Sequence, residues 1–208
     1  MSEQSAPEPY IRLFRSGDEP SLSKICCATG NKGEDATGLL SNDEIWGDVY
    51  VLPYVARDPS LAWVVEAGGA VVGYCVATDD TQKFNEWFGE EWWPKRQSRF
   101  TRDQTPRETT IFDYADAKTR ATPDPYGYNT RYPAHMHIDL LPSAQGRGIG
   151  AKLITTAISA LRERKVSAVR LGTSAENVRA CRFYTKLGFG EADAKAGSRV
   201  FVLDLQEQ

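Results

Sequence analysis

The residues from His135 to Leu161, HMHIDLLPSAQGRGIGAKLITTAISAL, leave few folds open to the chain. Met136, Ile138 and Leu140 alternate with His135, His137 and Asp139, the period-two pattern of a strand with one buried face. Pro142 lacks a backbone donor and interrupts that strand's ladder. Beyond it, Gln145-Gly146-Arg147-Gly148-Ile149-Gly150 opens a segment in which Ile149, Leu153, Ile154, Ala157, Ile158 and Leu161 recur at helical spacing. A glycine-rich turn from strand to helix lets backbone approach a ligand and aims unpaired N–H groups at it. Together with the positive end of the helix dipole, those groups favour a phosphate or pyrophosphate. The same glycines would equally serve a tight turn and close helix packing.

Two better-known phosphate sites are excluded by spacing. The dinucleotide fingerprint needs an early strand–turn–helix position and an acidic residue about 20 positions on at a second strand. A phosphate-loop NTPase needs Gly-Lys-Ser/Thr, which is missing after Gly150. A second segment stands further along: Ser167 to Thr173 reads as a strand, followed by Asn177-Val-Arg-Ala-Cys-Arg-Phe-Tyr184-Thr-Lys-Leu-Gly188-Phe189. Asn177 is a suitable N-cap, Ala180, Phe183, Tyr184 and Leu187 make one buried helical stripe, and Gly188 stops the helix. Taken alone, Tyr184 reads as well for a core aromatic as for a functional one.

In this combination the chain resembles the GNAT superfamily of N-acyltransferases. Gln145, Gly148 and Gly150 meet its first cofactor pattern of Gln or Arg, two residues, Gly, one residue, then Gly or Ala. Asn177, Tyr184 and the Gly188-Phe189 pair meet its second. The resemblance covers residues 10–78 loosely and 134–205 well. It implies an α/β (α+β) fold: a mixed, mostly antiparallel central sheet flanked by helices, with parallel fourth and fifth strands that splay apart. It also implies direct transfer of acetyl from acetyl-CoA to an amine. On that resemblance the backbone around Gly146, Arg147, Gly148, Ile149, Gly150 and Ala151, with Gln145, takes the pyrophosphate. The backbone of Ile138, Asp139, Leu140 and Leu141 pairs with the pantetheine, Asn177 holds pantetheine or a water, and Tyr184 stabilises or protonates the departing thiolate. For the base, Asp139 and His137 are the candidates on one strand face, with a water relay as the alternative. Related enzymes often place catalytic residues one position earlier, where Ala134 and Met136 stand here, so a bulge would be needed to reconcile the two.

The run Arg131 to Pro142 is also similar to the acetyltransferase-like domain attached to animal O-GlcNAc hydrolases and to its free-standing bacterial relatives. That domain is often regarded as catalytically degenerate, whereas this chain keeps the whole Gln145 to Gly150 turn. A catalytically weak or inactive acetyl-CoA-binding regulatory or interaction domain is therefore the alternative to an active enzyme. The acceptor is open between a small-molecule amine and a protein lysine.

Whole-chain properties narrow the class further. A length of 208 residues suffices for one substantial core, and a net charge of −3 gives no general reason to bind nucleic acid. Without an apolar run of about 18 residues or a basic-then-apolar start, neither a membrane span nor a signal peptide is expected. Cys26, Cys27, Cys75 and Cys181 form no CxxC pair, so free thiols in a cytoplasmic protein are expected, and no metal-ligand cluster is evident.

In chain order, residues 1–9 read as a flexible tail and 10–208 as one domain. A short strand is expected over Tyr10 to Arg15, a helix from Asp18-Glu19-Pro20 through Leu22, Ile25 and Cys26, and a polar loop from Gly30 to Gly38. A second helix should begin near Ser41 or Asn42 with Ile45, Val49, Leu52 and Val55 as its stripe, disturbed by Pro53. Leu61 to Glu66 and Ala70 to Thr78 form a hairpin about Gly68-Gly69, with Gly73 marking a bulge or a close approach. Glu66 reads as a solvated carboxylate. A terminal hairpin over Phe189 to Asp193 and Arg199 to Leu205 closes the chain.

Residues 81–133 form an insertion dense in aromatics, with a helix through Phe84, Trp87, Phe88 and Trp92 and a shorter one about Arg107 to Lys118. So many aromatics must pack on the domain or cover a cleft. One use is acceptor recognition, by aromatics such as Trp92, Tyr126 and Tyr128. The other is shielding the sheet or forming a homodimer surface.

Overall fold

The computed structural model describes residues 8–102, 104–116 and 124–206. Residues 1–7 of the expected tail and the end of the helix expected at Lys118 lie outside that description. Seven strands form one sheet in the order β1-β2-β3-β4-β5-β7-β6. They are β1 (Tyr10–Leu13), β2 (Ala62–Ala67), β3 (Ala70–Thr78), β4 (Ala134–Leu140), β5 (Ala168–Ser174), β6 (Gly190–Ala192) and β7 (Ser198–Asp204). Every neighbouring pair is antiparallel except β4 and β5, which are parallel.

Period-two alternation gives the sheet two apolar faces, and each is covered by helices. Met136, Cys75, Val65 and Leu171 face one core with α7 (Ile149–Glu163) and α8 (Val178–Lys186). Tyr74, Val76 and Val64 face the other, with α1 (Glu19–Thr29), α2 (Glu44–Tyr50) and the insertion. The single second helix expected from the sequence is broken at Val51 into α2 and α3 (Leu52–Arg57). Pro53 sits in the first turn of α3, where its missing donor is not needed.

The hairpin places its irregularity beside Gly73: Val65 pairs with Gly73 and Glu66 with Val71, so Val72 is the extra residue. A Cβ on Gly73 would collide with Leu140 of the neighbouring strand, which also bears out the close approach. Glu66 is not simply solvated, since it accepts from Arg12 Nε at 2.7 Å. Arg12 also holds Asp18 at 2.7 Å, and these ion pairs tie β1 to β2 and to the start of α1. Sequence periodicity carries no signal for such long-range charge pairing.

The insertion is folded against the α1–α2 side. It contains α4 (Thr81–Trp87), a π turn over Phe88–Trp92, two 3-10 turns, α5 (Pro106–Ala115) and the unforeseen four-residue α6 (Tyr128–Arg131). Asp80 caps α4 and Thr105 caps α5 by accepting from Lys83 N and Glu108 N. Its two ends meet where Thr81 N–H donates to Pro133 O at 2.7 Å. Trp93 stacks between Phe88 and Phe100 and touches Phe112, while Trp92 Nε1 donates to Asp48 O at 2.8 Å, fixing the insertion to α2. Among the described residues, no helix is long and apolar enough to cross a membrane.

Candidate active site

The sheet opens where its two parallel strands part. The β4–β5 ladder holds only Ala134 with Val169 and His135 with Arg170, whereas β4 stays paired with β3 through Leu140 without a register shift. From Met136 onward one edge of β4 faces the gap. Strand alternation assigns the backbone groups of Ile138 and Leu140 to that edge, because Leu141 N–H donates to Val72 O on the opposite side at 2.9 Å. The Leu140 carbonyl accepts from Gln145 Nε2 at 2.7 Å, and Gln145 Oε1 accepts from Arg179 on α8 at 2.5 Å. Gln145 thereby locks the glycine turn to β4 and α8.

In that turn the glycines divide their work. Gly146 (φ +78°) and Gly148 (φ +74°) hold left-handed backbone, and a Cβ on either would meet no atom within 4 Å. Gly150 is a packing glycine: a Cβ there would lie 3.1 Å from Leu140 and 3.3 Å from Phe183. The N–H groups from Gly146 to Ala151 make no backbone hydrogen bond to another described residue, and they cluster at the start of α7. Open space, free donors and a helix N-terminus suit a pyrophosphate.

On the α1–α2 face, β4 presents His135, His137 and Asp139. Tyr74, its partner in register on β3, donates its hydroxyl to Asp139 Oδ2 at 2.5 Å. Burial pushes the Asp139 carboxyl up to about 6, against the hydrogen bonds of Tyr74 and Thr29, which pull it down. The carboxyl itself is buried, although Asp139 as a residue is only partly covered. His137 lies edge-on to Tyr50 and Tyr54, with centroids 6.4 and 5.3 Å away. His135 is held by Tyr54 and by Thr81 Oγ1, the latter 2.7 Å from Nδ1. Because Thr81 donates to Pro133 O, it accepts from Nδ1–H, which leaves Nε2 to take the Tyr54 proton. Thus His135 joins the neck of the insertion to β4. No bulge displaces β4, and Ala134 and Met136 point into the opposite core.

Tyr184 lies on the other side of the gap. Its ring is packed by Phe183, Phe189 and Phe201, and its hydroxyl makes no hydrogen bond to another described residue. Burial, and next the charge of Asp139, raise its phenol, so it keeps its proton at neutral pH. Asn177 caps α8 by accepting from Ala180 N at 3.1 Å, and its amide nitrogen lies against Gly33 in the α1–α2 loop. The aromatics singled out in the insertion do not all converge here. Trp92 is buried against α2, and Tyr128 donates to Asp193 O beyond β5 with Tyr126 stacked on it. Instead Tyr114, on α5, stacks on Tyr50 at 5.6 Å and so reaches the His137 side of the cleft. Tyr50, Tyr54 and Tyr74 are site-facing residues that sequence reading passed over, whereas Tyr114 belongs to the aromatic set of the insertion. Only the alternation of Tyr74 with Val76 on β3 could have flagged one of them.

A parallel pair that parts beside a glycine turn is the arrangement expected of the acyltransferase fold. The family model of the acetyltransferase (GNAT) family matches residues 35–189, and the chain belongs to that family, whose cofactor is acetyl-CoA. The crystal structure of SsHAT superimposes with a TM-score of 0.86 at 32% identity, covering 97% of this chain and 100% of that one. The paia N-acetyltransferase from Thermoplasma acidophilum in complex with coenzyme A shares the fold, with a TM-score of 0.59 at 14% identity over 95% of this chain and 99% of that one. Mycothiol acetyltransferase of Nocardia farcinica is 49% identical over 199 residues, 87% of this chain. The present chain spans only 61% of that relative's length.

Proposed function

We propose that the chain transfers the acetyl group of acetyl-CoA directly to a primary amine, a small molecule or a protein lysine, in the cytoplasm. The observation that carries this reading is the placement of Asp139 and Tyr184 about one gap. The gap is edged by free β4 backbone and closed at one end by a turn suited to pyrophosphate. Bound there, acetyl-CoA supplies an activated thioester. The amides of residues 146–151, with Arg147 beside them, hold the pyrophosphate, and the backbone of Ile138 and the N–H of Leu140, whose carbonyl Gln145 occupies, are offered to the pantetheine. With its oxygen engaged in the cap, Asn177 has its amide nitrogen left for the pantetheine or a water.

Asp139, ionised above about pH 6, takes a proton from the acceptor amine as its nitrogen bonds the acetyl carbon. Tyr184 gives its proton to the sulfur as the carbon–sulfur bond breaks. Both groups then re-equilibrate with water, and no covalent enzyme intermediate is needed. His137 lines the acceptor side, and Tyr114 makes the insertion a wall of that side, with the outward Tyr126 surface the part suited to a homodimer.

The Arg131 to Pro142 run supports placing the chain nearer the O-GlcNAc-hydrolase-type acetyltransferase-like domains than other branches of the family. The name of the Nocardia relative adds mycothiol chemistry to the acceptors to be tried. The test is calorimetric titration with acetyl-CoA followed by thiol release across an amine panel. Saturable binding with acceptor-dependent CoA release is expected. Absence of binding overturns the reading, and binding without product on any amine leaves a regulatory acetyl-CoA-binding domain.

A further inference from the structure

Asp139 is held by a partner that no motif marks. Tyr74 is fully buried, stands opposite Asp139 in the β3–β4 register, and donates to one carboxylate oxygen at 2.5 Å. The strand geometry leaves that hydroxyl little freedom, since β3 is pinned on both sides by β2 and β4. We propose that Tyr74 is a positioning residue of the transfer site: its hydroxyl holds the Asp139 carboxylate in one rotamer, turned toward the acceptor, and favours its charged form over its neutral form. This rests on Asp139 being the base.

The physical argument is a balance of two opposed effects. Burial disfavours the carboxylate charge, and a hydrogen bond donated to that charge favours it. A donor held in place by packing keeps the second effect at full strength, and because Tyr74 holds only Oδ2, the other carboxylate oxygen is the one that takes the amine proton. The other titratable groups around Asp139 do not compete in the same range. Cys26 on α1, Cys75 on β3 and Tyr184 on α8 are all pushed upward, chiefly by burial, and stay protonated near neutrality. His135 and His137 share the strand face; His135 has both ring nitrogens engaged by Tyr54 and Thr81, and His137 is the histidine to control for. Tyr74 itself is raised well above its ordinary value, so it serves as a donor throughout.

Removing the hydroxyl should therefore move the base rather than merely weaken the enzyme. In Tyr74→Phe the acid limb of the kcat/KM–pH profile is expected to shift alkaline by about one unit, the scale on which a lost hydrogen bond to a charged group acts. Acetyl-CoA affinity should change less than several-fold. His137→Gln should leave the limb in place, and Asp139→Asn should remove it. A Tyr74→Phe enzyme that loses turnover with an unmoved limb overturns the inference while leaving acetyl transfer intact. A wild type inactive on every amine instead defeats the function itself.

A second measurement needs neither turnover nor a substitution. In carbon-13 NMR of the unmutated protein, the Asp139 carboxyl should titrate near pH 6, with a downfield Tyr74 hydroxyl proton moving at the same midpoint. A Tyr74 proton indifferent to that titration refutes the positioning role even if the Phe variant fails to fold.

Discussion

At the scale of single residues the site depends on groups whose partners lie far away in sequence. The helical stripe following Asn177 marks Tyr184 as a buried position of α8, and the structure places it there. Its surroundings were not legible, since only the docked α8 puts it in an aromatic cluster where its hydroxyl bonds no other described residue. Tyr184→Phe keeps the ring that packs Phe201 and removes only the proton. Cofactor affinity is expected to stay within several-fold while turnover falls by roughly 10 to 10⁴, the range of positioned proton transfer. Stopped-flow turnover with a verified acceptor, beside an acetyl-CoA titration, decides it. Unchanged turnover removes Tyr184 from the mechanism, and lost binding makes it a packing residue. Tyr74 lay hidden for the opposite reason. A tyrosine within a Val-rich strand reads as ordinary core, and only cross-strand register puts it on Asp139.

At the scale of elements, the glycine turn shows how one motif mixes two physical demands. Gly146 and Gly148 supply left-handed backbone beside open space, while Gly150 lets α7 approach Leu140 and Phe183. The two substitutions should therefore separate. Gly148→Val puts a β-branched side chain at positive φ, strained by roughly 1 to 2 kcal/mol, and crowds the free amides. A tenfold or greater loss of acetyl-CoA affinity is expected with a modest drop in melting temperature. Gly150→Leu should act first on stability, because its neighbours are core side chains. Isothermal titration paired with thermal melts tests both, and equal affinity in Gly148→Val and wild type would count against pyrophosphate binding at this turn. The broken helix at Val51 makes a related point: the apolar stripe fixed which face is buried, but Pro53 decided where the helix restarts.

For the whole molecule, the insertion is a second covering layer, and among its described aromatics Tyr114 on α5 stacks on Tyr50 beside His137. Trp93 and Phe112 are fully buried in the aromatic stack, whereas Tyr114 is 40% exposed at the cleft. Phe112→Ala is expected to cost about 3 to 5 kcal/mol of stability, and Tyr114→Ala should leave the melting temperature nearly unchanged while altering acceptor KM several-fold. An unaltered acceptor preference in Tyr114→Ala would assign the insertion to shielding or assembly. The sequence by itself determined the seven strands, the longer helices outside the insertion with their inward faces, and the glycine turn with its second cofactor segment. These are short-range properties, written in periodicity, caps and glycine spacing. Only the tertiary structure decided that β4 and β5 part after two paired residues, that Asp139 meets Tyr74, and that Tyr114 rather than Trp92 or Tyr128 reaches the cleft. Each of those depends on register and docking between segments distant in the chain, where burial and hydrogen-bond geometry act and local pattern carries no information.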